Sequence, residues 1–161
     1  EMNKCFVDVP YKLSFEPGRY LVANAGILVT TVITIKNNGG INYLITDAGM
    51  HTLIRPALYK AHHEIESVSG NTEKPTDYTI AGPICESSDI FGKNINLPQQ
   101  QIGNLLIIKD TGAYGKVMAS NYNSRGLPKE ILVKDNNFFV IHKPLSIKEY
   151  IDQDRIPDWL V

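Results

Sequence analysis

Apolar and polar positions alternate most strictly over residues 27–36, where Ile27, Val29, Thr31, Ile33 and Ile35 take one side and Leu28, Thr30, Val32, Thr34 and Lys36 the other. A period of two held over that length predicts a long β-strand. Asn37-Asn38-Gly39-Gly40 interrupts it with residues suited to a turn, and residues 41–46 resume an apolar pattern, so the two segments predict a hairpin. Shorter strand patterns occupy residues 6–9, 12–15, 62–69, 78–81 and 105–109. Residues 130–133 and 138–142 flank Lys134-Asp135-Asn136-Asn137 and predict a second hairpin.

Helical signals are few and short. Residues 20–26 suit one helix closed by Gly26, and Pro56 fits the first turn of another, which would set Arg55 and Tyr59 on one side. Ser146-Ile147-Lys148-Glu149 has the form of a capping box and predicts a helix over residues 146–153. Seven or so strands with such short helices predict a mostly β fold, an antiparallel barrel or sandwich. The start differs. Strand, glycine turn and helix in residues 1–26 are more like the last βα unit of an α/β barrel. Two parts are therefore expected, residues 1–26 and residues 27–161.

Composition narrows the function classes. With 161 residues the chain can build one domain with a real core, and Lys+Arg at 16 against Asp+Glu at 17 leaves no electrostatic footprint for nucleic acid. No apolar run reaches the ~18 residues of a membrane span, and Glu1-Met2-Asn3-Lys4 lacks the order of a secretory signal, so a cytoplasmic protein is expected. Cys5 and Cys85 stand far apart without metal-ligand spacing, which argues against a zinc site or disulfide framework. A chain opening with Glu and then Met reads as an interior segment of a longer protein.

Chemistry concentrates in Gly82-Pro83-Ile84-Cys85-Glu86-Ser87-Ser88-Asp89, where a thiol sits beside a carboxylate. Gly-Pro holds the next residues extended, and Ser87, Ser88 or Asp89 can accept backbone N–H groups at the start of a short helix or turn. A thiol with a reference pKa of about 8.5 is largely protonated near neutrality and can give a proton to a carbanion, leaving Glu86 to bind an ammonium. The same pair also suits a buried small side chain beside a solvated charge. Glu16-Pro17-Gly18-Arg19 precedes a helix whose N-terminal amides can receive a phosphate, or is an ordinary turn with a surface arginine. Arg55 with Tyr59 can clamp a carboxylate, or be a snorkelling arginine beside a half-buried tyrosine, and Tyr114, between Gly112 and Gly115, can face a ligand or plug the sheet.

Taken in order, these segments resemble the C-terminal part of the diaminopimelate decarboxylases, fold-type III pyridoxal-phosphate enzymes of lysine biosynthesis. The matching blocks are Glu16-Pro17-Gly18-Arg19 with Ala23-Asn24-Ala25-Gly26, Asp47-Ala48-Gly49-Met50 with Leu53-Ile54-Arg55-Pro56-Ala57-Leu58-Tyr59, the Gly82-to-Asp89 stretch, Gly112-Ala113-Tyr114-Gly115, and Ser120-Asn121-Tyr122-Asn123. They cover nearly the whole chain, down to Ile156-Pro157-Asp158-Trp159-Leu160.

The resemblance implies conversion of meso-2,6-diaminopimelate to L-lysine and CO2 in a homodimer with shared active sites. It implies that Glu16, Pro17, Gly18 and Arg19 help hold pyridoxal 5'-phosphate, and that Tyr114 approaches cofactor and substrate. Arg19, Arg55 and Tyr59 would bind the distal carboxylate, while Cys85, as proton donor, and Glu86, on the distal ammonium, would reach into the partner's site. The family's Schiff-base lysine, glycine-rich phosphate loop and cofactor-stacking histidine have no counterpart here, so the isolated chain is expected to be inactive. An ornithine- or arginine-type decarboxylase is the nearest alternative; a non-catalytic β-module for dimerisation is another.

Overall fold

In the computed structural model, which describes residue 6 and residues 10–68 and 74–160, the long alternating segment is strand β1 (Leu28–Asn38). It turns through Gly39 and Gly40 into β2 (Ile41–Thr46). Both glycines have positive φ, +59° and +81°, the backbone a tight antiparallel hairpin needs. One residue breaks the ladder: Val32 pairs with Thr46 and Thr34 with Ile45, leaving Ile33 as a bulge. Past it Ile35 pairs with Leu44, so Val32 and Ile35 share a side that strict alternation puts on opposite sides.

Six strands form one sheet in the order β3-β6-β1-β2-β4-β5, with β3 at Ile65–Ser67, β4 at Thr76–Ala81, β5 at Ile90–Leu97 and β6 at Leu105–Ile108. The expected antiparallel β-domain is present with one parallel seam, β2 against β4. Parallel neighbours cannot share a tight turn. The connection between them carries helix α2 (Arg55–Tyr59) and β3. The ends of the sheet approach each other, since a Cβ built at Gly92 of β5 lies 3.9 Å from Ile65 Cδ1 of β3. The sheet thus curls into a nearly closed barrel.

Val32, Leu44, Ile80, Leu106 and Ile108 are fully buried inside it, joined by Leu53, Ile65, Tyr78, Phe91 and Leu97. The buried hydroxyls of Thr46 and Tyr78 are paired, as burial demands. Thr46 Oγ1 donates to the Ala48 carbonyl at 2.8 Å, and Tyr78 Oη accepts the Gln100 amide at 3.1 Å.

Several expected elements change. Residues 12–15 make no strand, having no ladder partner among the described residues, and residues 7–9 lie outside them. Helix α1 begins early, at Gly18–Val22, and passes into a tight turn at Ala23–Ala25. Gly26 has φ −125°, so it does not close the helix in a left-handed conformation. Of the short helix or turn expected at residues 87–89, the turn forms, with the Asp89 amide donating to the Glu86 carbonyl at 3.0 Å, and strand β5 follows it.

The second hairpin forms as its own two-stranded sheet, β7 (Glu130–Lys134) with β8 (Asn137–His142). Its Leu132, Val133, Phe138 and Phe139 side chains are exposed. Helix α3 (Ile147–Ile151) carries the predicted capping box, with Ser146 accepting from the Glu149 amide and Glu149 from the Ser146 amide. No helix among the described residues is long and apolar enough to cross a membrane.

Candidate active site

Helix α1, the N-terminus of α2 and the turn after β6 meet at one end of the sheet. Gly112 makes the approach feasible, because a Cβ there would lie 2.2 Å from the Val22 carbonyl oxygen. Thr111 and Gly112 donate their amides to the Gly26 and Ala23 carbonyls at 2.9 Å each. The glycine predicted to bring backbone to a ligand thus brings it to the end of the helical segment. Asp110 and Tyr114 both take left-handed backbone, with φ +58° and +56°.

Four of the expected substrate residues, Arg19, Arg55, Tyr59 and Tyr114, converge there. Arg19 Nη2 donates to the Asp110 carbonyl at 3.3 Å. The Arg55 guanidinium carbon lies 5.5 Å from the Tyr59 ring centroid and 5.8 Å from that of Tyr114, a cation between two aromatic faces. Tyr114 Oη in turn lies over Gly18, 3.1 Å from where a Cβ would stand. The Glu16-to-Arg19 turn is therefore beside Tyr114. Glu16 contributes its carbonyl, which accepts the Gly18 amide at 2.9 Å, and Pro17 precedes the helix without a side-chain cap.

His63 joins this cluster without having been singled out in the sequence for it. Its Nδ1 lies 2.8 Å from the Lys109 carbonyl, so Nδ1 carries the proton and Nε2 is left as an acceptor. Burial holds the imidazole below its ordinary range, the Lys109 carbonyl opposes this, and the charges of Arg19 and Arg55 add to the depression. Arg19 Nε, Arg55 Nε and His63 Nε2 are buried without a hydrogen-bond partner. Two donors and one acceptor of that kind are costly unless a ligand meets them. Among the described residues, no contact brings a lysine ammonium to this cluster, and no three His, Cys, Asp or Glu side chains gather as a metal site.

Cys85 and Glu86 stand on a separate loop, with no described contact to Arg19, Arg55, Tyr59 or Tyr114. The Cys85 thiol is free and exposed, and Asn123 Nδ2 donates to its Sγ at 3.6 Å. Asn123 also lines a cleft of about 710 Å³ with Met50, Ile54 and Tyr150. Glu86 Oε1 accepts from the Ser88 amide and the Ser87 hydroxyl, both at 3.3 Å, and these bonds hold its carboxyl below the usual range. Asp89 is buried, and its carboxylate accepts the amides of Ile84 and Met50. Accepting backbone amides was the expected role, but it reaches backward and across rather than into a following helix.

Next to Met50, His51 is buried with Nδ1 unpartnered. Burial first, and the Arg125 charge second, lower its pKa from 6.5 to about 4, against a smaller opposing effect of Asp47. Burial pushes the Asp47 carboxyl up, but hydrogen bonds from Thr30, Thr31 and Ala48 outweigh it and leave it below the usual range.

Residues 19–112, more than half of the chain, match the family described as pyridoxal-dependent decarboxylase, C-terminal sheet domain. The diaminopimelate decarboxylase of Buchnera aphidicola subsp. Baizongia pistaciae is 40% identical over 159 residues, covering 91% of this chain and 38% of the relative. The chain thus spans well under half the length of the curated relatives it matches. The crystal structure of the diaminopimelate decarboxylase of Methanocaldococcus jannaschii superposes with a TM-score of 0.86 at 40% identity, over 91% of this chain and 33% of that one. The arginine decarboxylase of Paramecium bursaria Chlorella virus shares the fold, with a TM-score of 0.60 at 22% identity, over 67% of this chain and 30% of that one.

Proposed function

The chain belongs to the pyridoxal-dependent decarboxylases, whose C-terminal sheet domain it carries, and from that premise we propose that it serves a diaminopimelate decarboxylase, converting meso-2,6-diaminopimelate to L-lysine and CO2. The carrying observation is the convergence of Arg19, Arg55, Tyr59 and Tyr114 with two buried arginine Nε atoms lacking partners. A substrate with a distal carboxylate gives those donors an acceptor. Ornithine and arginine have none, so their binding would leave the donors desolvated and unpaired. One relative, the Methanocaldococcus jannaschii enzyme, has been crystallised in complex with L-lysine.

The residues present suit pyridoxal 5'-phosphate in part. The Glu16-to-Arg19 turn would take its phosphate and Tyr114 would approach its ring, while the covalent lysine would come from outside this cluster. When bound, the cofactor supplies the electron sink that lets the α-carboxylate leave. Arg55 and Arg19 hold the distal carboxylate, and Tyr59 and Tyr114 keep the Arg55 fork in plane. Cys85 delivers a proton to the substrate α-carbon after CO2 has left, and Glu86 pairs with the distal ammonium.

In this reading Cys85 and Glu86 act in the site of a second copy, which accounts for their separation from the arginine cluster. Residues 1–26 form the end of a cofactor-binding barrel and residues 27–161 the sheet domain. Alone, the 161-residue chain would turn nothing over.

The test is a graft. This chain replaces the corresponding C-terminal segment of the Methanocaldococcus jannaschii relative, and turnover of diaminopimelate, ornithine and arginine is compared. Diaminopimelate is expected to be preferred by about 100-fold or more in kcat/KM. Preference for ornithine or arginine would reject the assignment. Full activity after replacing both Cys85 and Glu86 by alanine would favour a merely structural β-module.

A further inference from the structure

We propose that the Asp89 carboxylate is a strut fixing the Cys85–Glu86 loop against the segment that leads into the Arg55–Tyr59 helix, and so is a positioning residue for decarboxylation. The functional half of this rests on the reading above. Asp89 is only 4% exposed. Its Oδ2 accepts the Ile84 amide at 2.8 Å, directly before Cys85, and its Oδ1 accepts the Met50 amide at 2.6 Å, on a different loop. Its own carbonyl accepts the Gly82 amide at 3.0 Å, and its amide donates to the Glu86 carbonyl at 3.0 Å. The Gly82-to-Asp89 stretch is thereby folded around its last residue.

Two glycines make room for the strut. A Cβ at Gly82 would lie 2.3 Å from Asp89 Oδ2 and 2.4 Å from Gly49 Cα, and one at Gly49 would lie 2.8 Å from Oδ2. Neither position tolerates a side chain without displacing the carboxylate.

The loop on the other side is itself anchored. Asp47 Oδ1 accepts from Thr30 Oγ1 at 2.6 Å and from the Thr31 amide at 2.8 Å, which ties it to β1. Thr52 and Leu53 donate their amides to the Gly49 carbonyl at 2.9 and 3.0 Å, and Leu53 is buried in the core one residue before the N-cap of α2. A rigid path therefore runs from β1 through Met50 to Arg55, and Asp89 joins Cys85 to it. In the proposed dimer, that path connects the residues a protomer keeps for its own site with those it lends to the other.

The chemistry of the position requires a carboxylate. It meets two N–H donors and so needs two acceptor oxygens; asparagine would turn an NH2 toward one of the amides, and glutamate is one methylene too long for the space left by Gly49 and Gly82.

The experiment combines amide hydrogen exchange on the 161-residue chain with kinetics in the graft. The Met50 and Ile84 amides are expected to exchange about 100-fold more slowly than that of exposed Ser87. In Asp89→Asn at least one of the two speeds up about tenfold, while Leu44 and Ile80 in the sheet do not change. In the grafted enzyme Asp89→Asn lowers kcat about tenfold with KM within about threefold. Parent amides as fast as Ser87, or an unchanged kcat, overturn the proposal, and so does loss of kcat together with faster exchange throughout the sheet. Asp89→Ser is read in the same way if Asp89→Asn does not fold. A parent graft without turnover would count against the decarboxylase reading, while the exchange measurement would still decide the strut.

Discussion

Arg55 and Tyr59 open and close the same short helix, and the guanidinium of the first lies 5.5 Å from the ring centroid of the second. The stack keeps a planar fork presented at the end of the sheet, at a gain of about 0.5–1 kcal/mol for a partly exposed cation–π pair.

Replacing Arg55 by lysine keeps the charge and discards the fork. In the grafted decarboxylase, Arg55→Lys is expected to raise KM for diaminopimelate about tenfold or more, with a smaller change in kcat. Steady-state kinetics checks this, and an unchanged KM would remove Arg55 from the carboxylate site.

Cys85 is exposed and is not a member of the buried apolar core. Cys85→Ser should therefore leave the melting temperature within about 2 °C of the parent while kcat falls about 10²- to 10⁴-fold. Calorimetry and turnover on the same preparations separate the two effects. A large loss of stability would show that the thiol is a packing element after all.

His51 makes stability depend on pH. Its folded pKa is depressed to about 4 from 6.5, so the folded state binds fewer protons than the unfolded one between those values. Its contribution is complete above about pH 6.5 and is lost as pH falls toward 4, a change of up to about 3 kcal/mol. Urea unfolding of the parent and of His51→Gln over pH 4.5–7 tests it. Equal slopes in the two proteins would contradict the assignment. The His63 shift acts in the same sense, so only the difference between the proteins isolates His51.

Gly112→Ala places a methyl 2.2 Å from the Val22 carbonyl oxygen, which is backbone and cannot rotate away. A cost of about 1–3 kcal/mol is expected, together with displacement of α1 and of Arg19 from the Asp110 carbonyl. A melting curve matching the parent would mean that the gap yields freely.

Local chemistry made much of this fold legible in the sequence. The Asn37-to-Gly40 turn, Pro56 at the start of α2 and the Ser146–Glu149 box each act within a few residues, and each appears where expected. Strand β5 was hidden because Phe91-Gly92-Lys93-Asn94-Ile95-Asn96 has no clean alternation and places Asn94 at φ +54°. The Ile33 bulge and the parallel β2–β4 seam depend on neighbours distant in sequence, which periodicity does not encode. At the site, Arg19, Arg55, Tyr59 and Tyr114 were visible as residue types in motifs. His63 was not, because its place rests on a carbonyl far along the chain. Asp89 was seen only as a local cap, since half of its role lies on Met50.

The parallel seam also constrains how this domain can vary. Strands β2 and β4 lie side by side pointing the same way, so the backbone must leave β2 after Thr46 and, by way of α2 and β3, return beside it before Thr76. Arg55 and Tyr59 lie within that return journey. The arginine helix is thus no ornament added to a finished barrel but part of the only road between two adjacent staves. Shortening that road would cost the sheet its closure, so deletions in this segment should be tolerated far less than substitutions on the helix it carries.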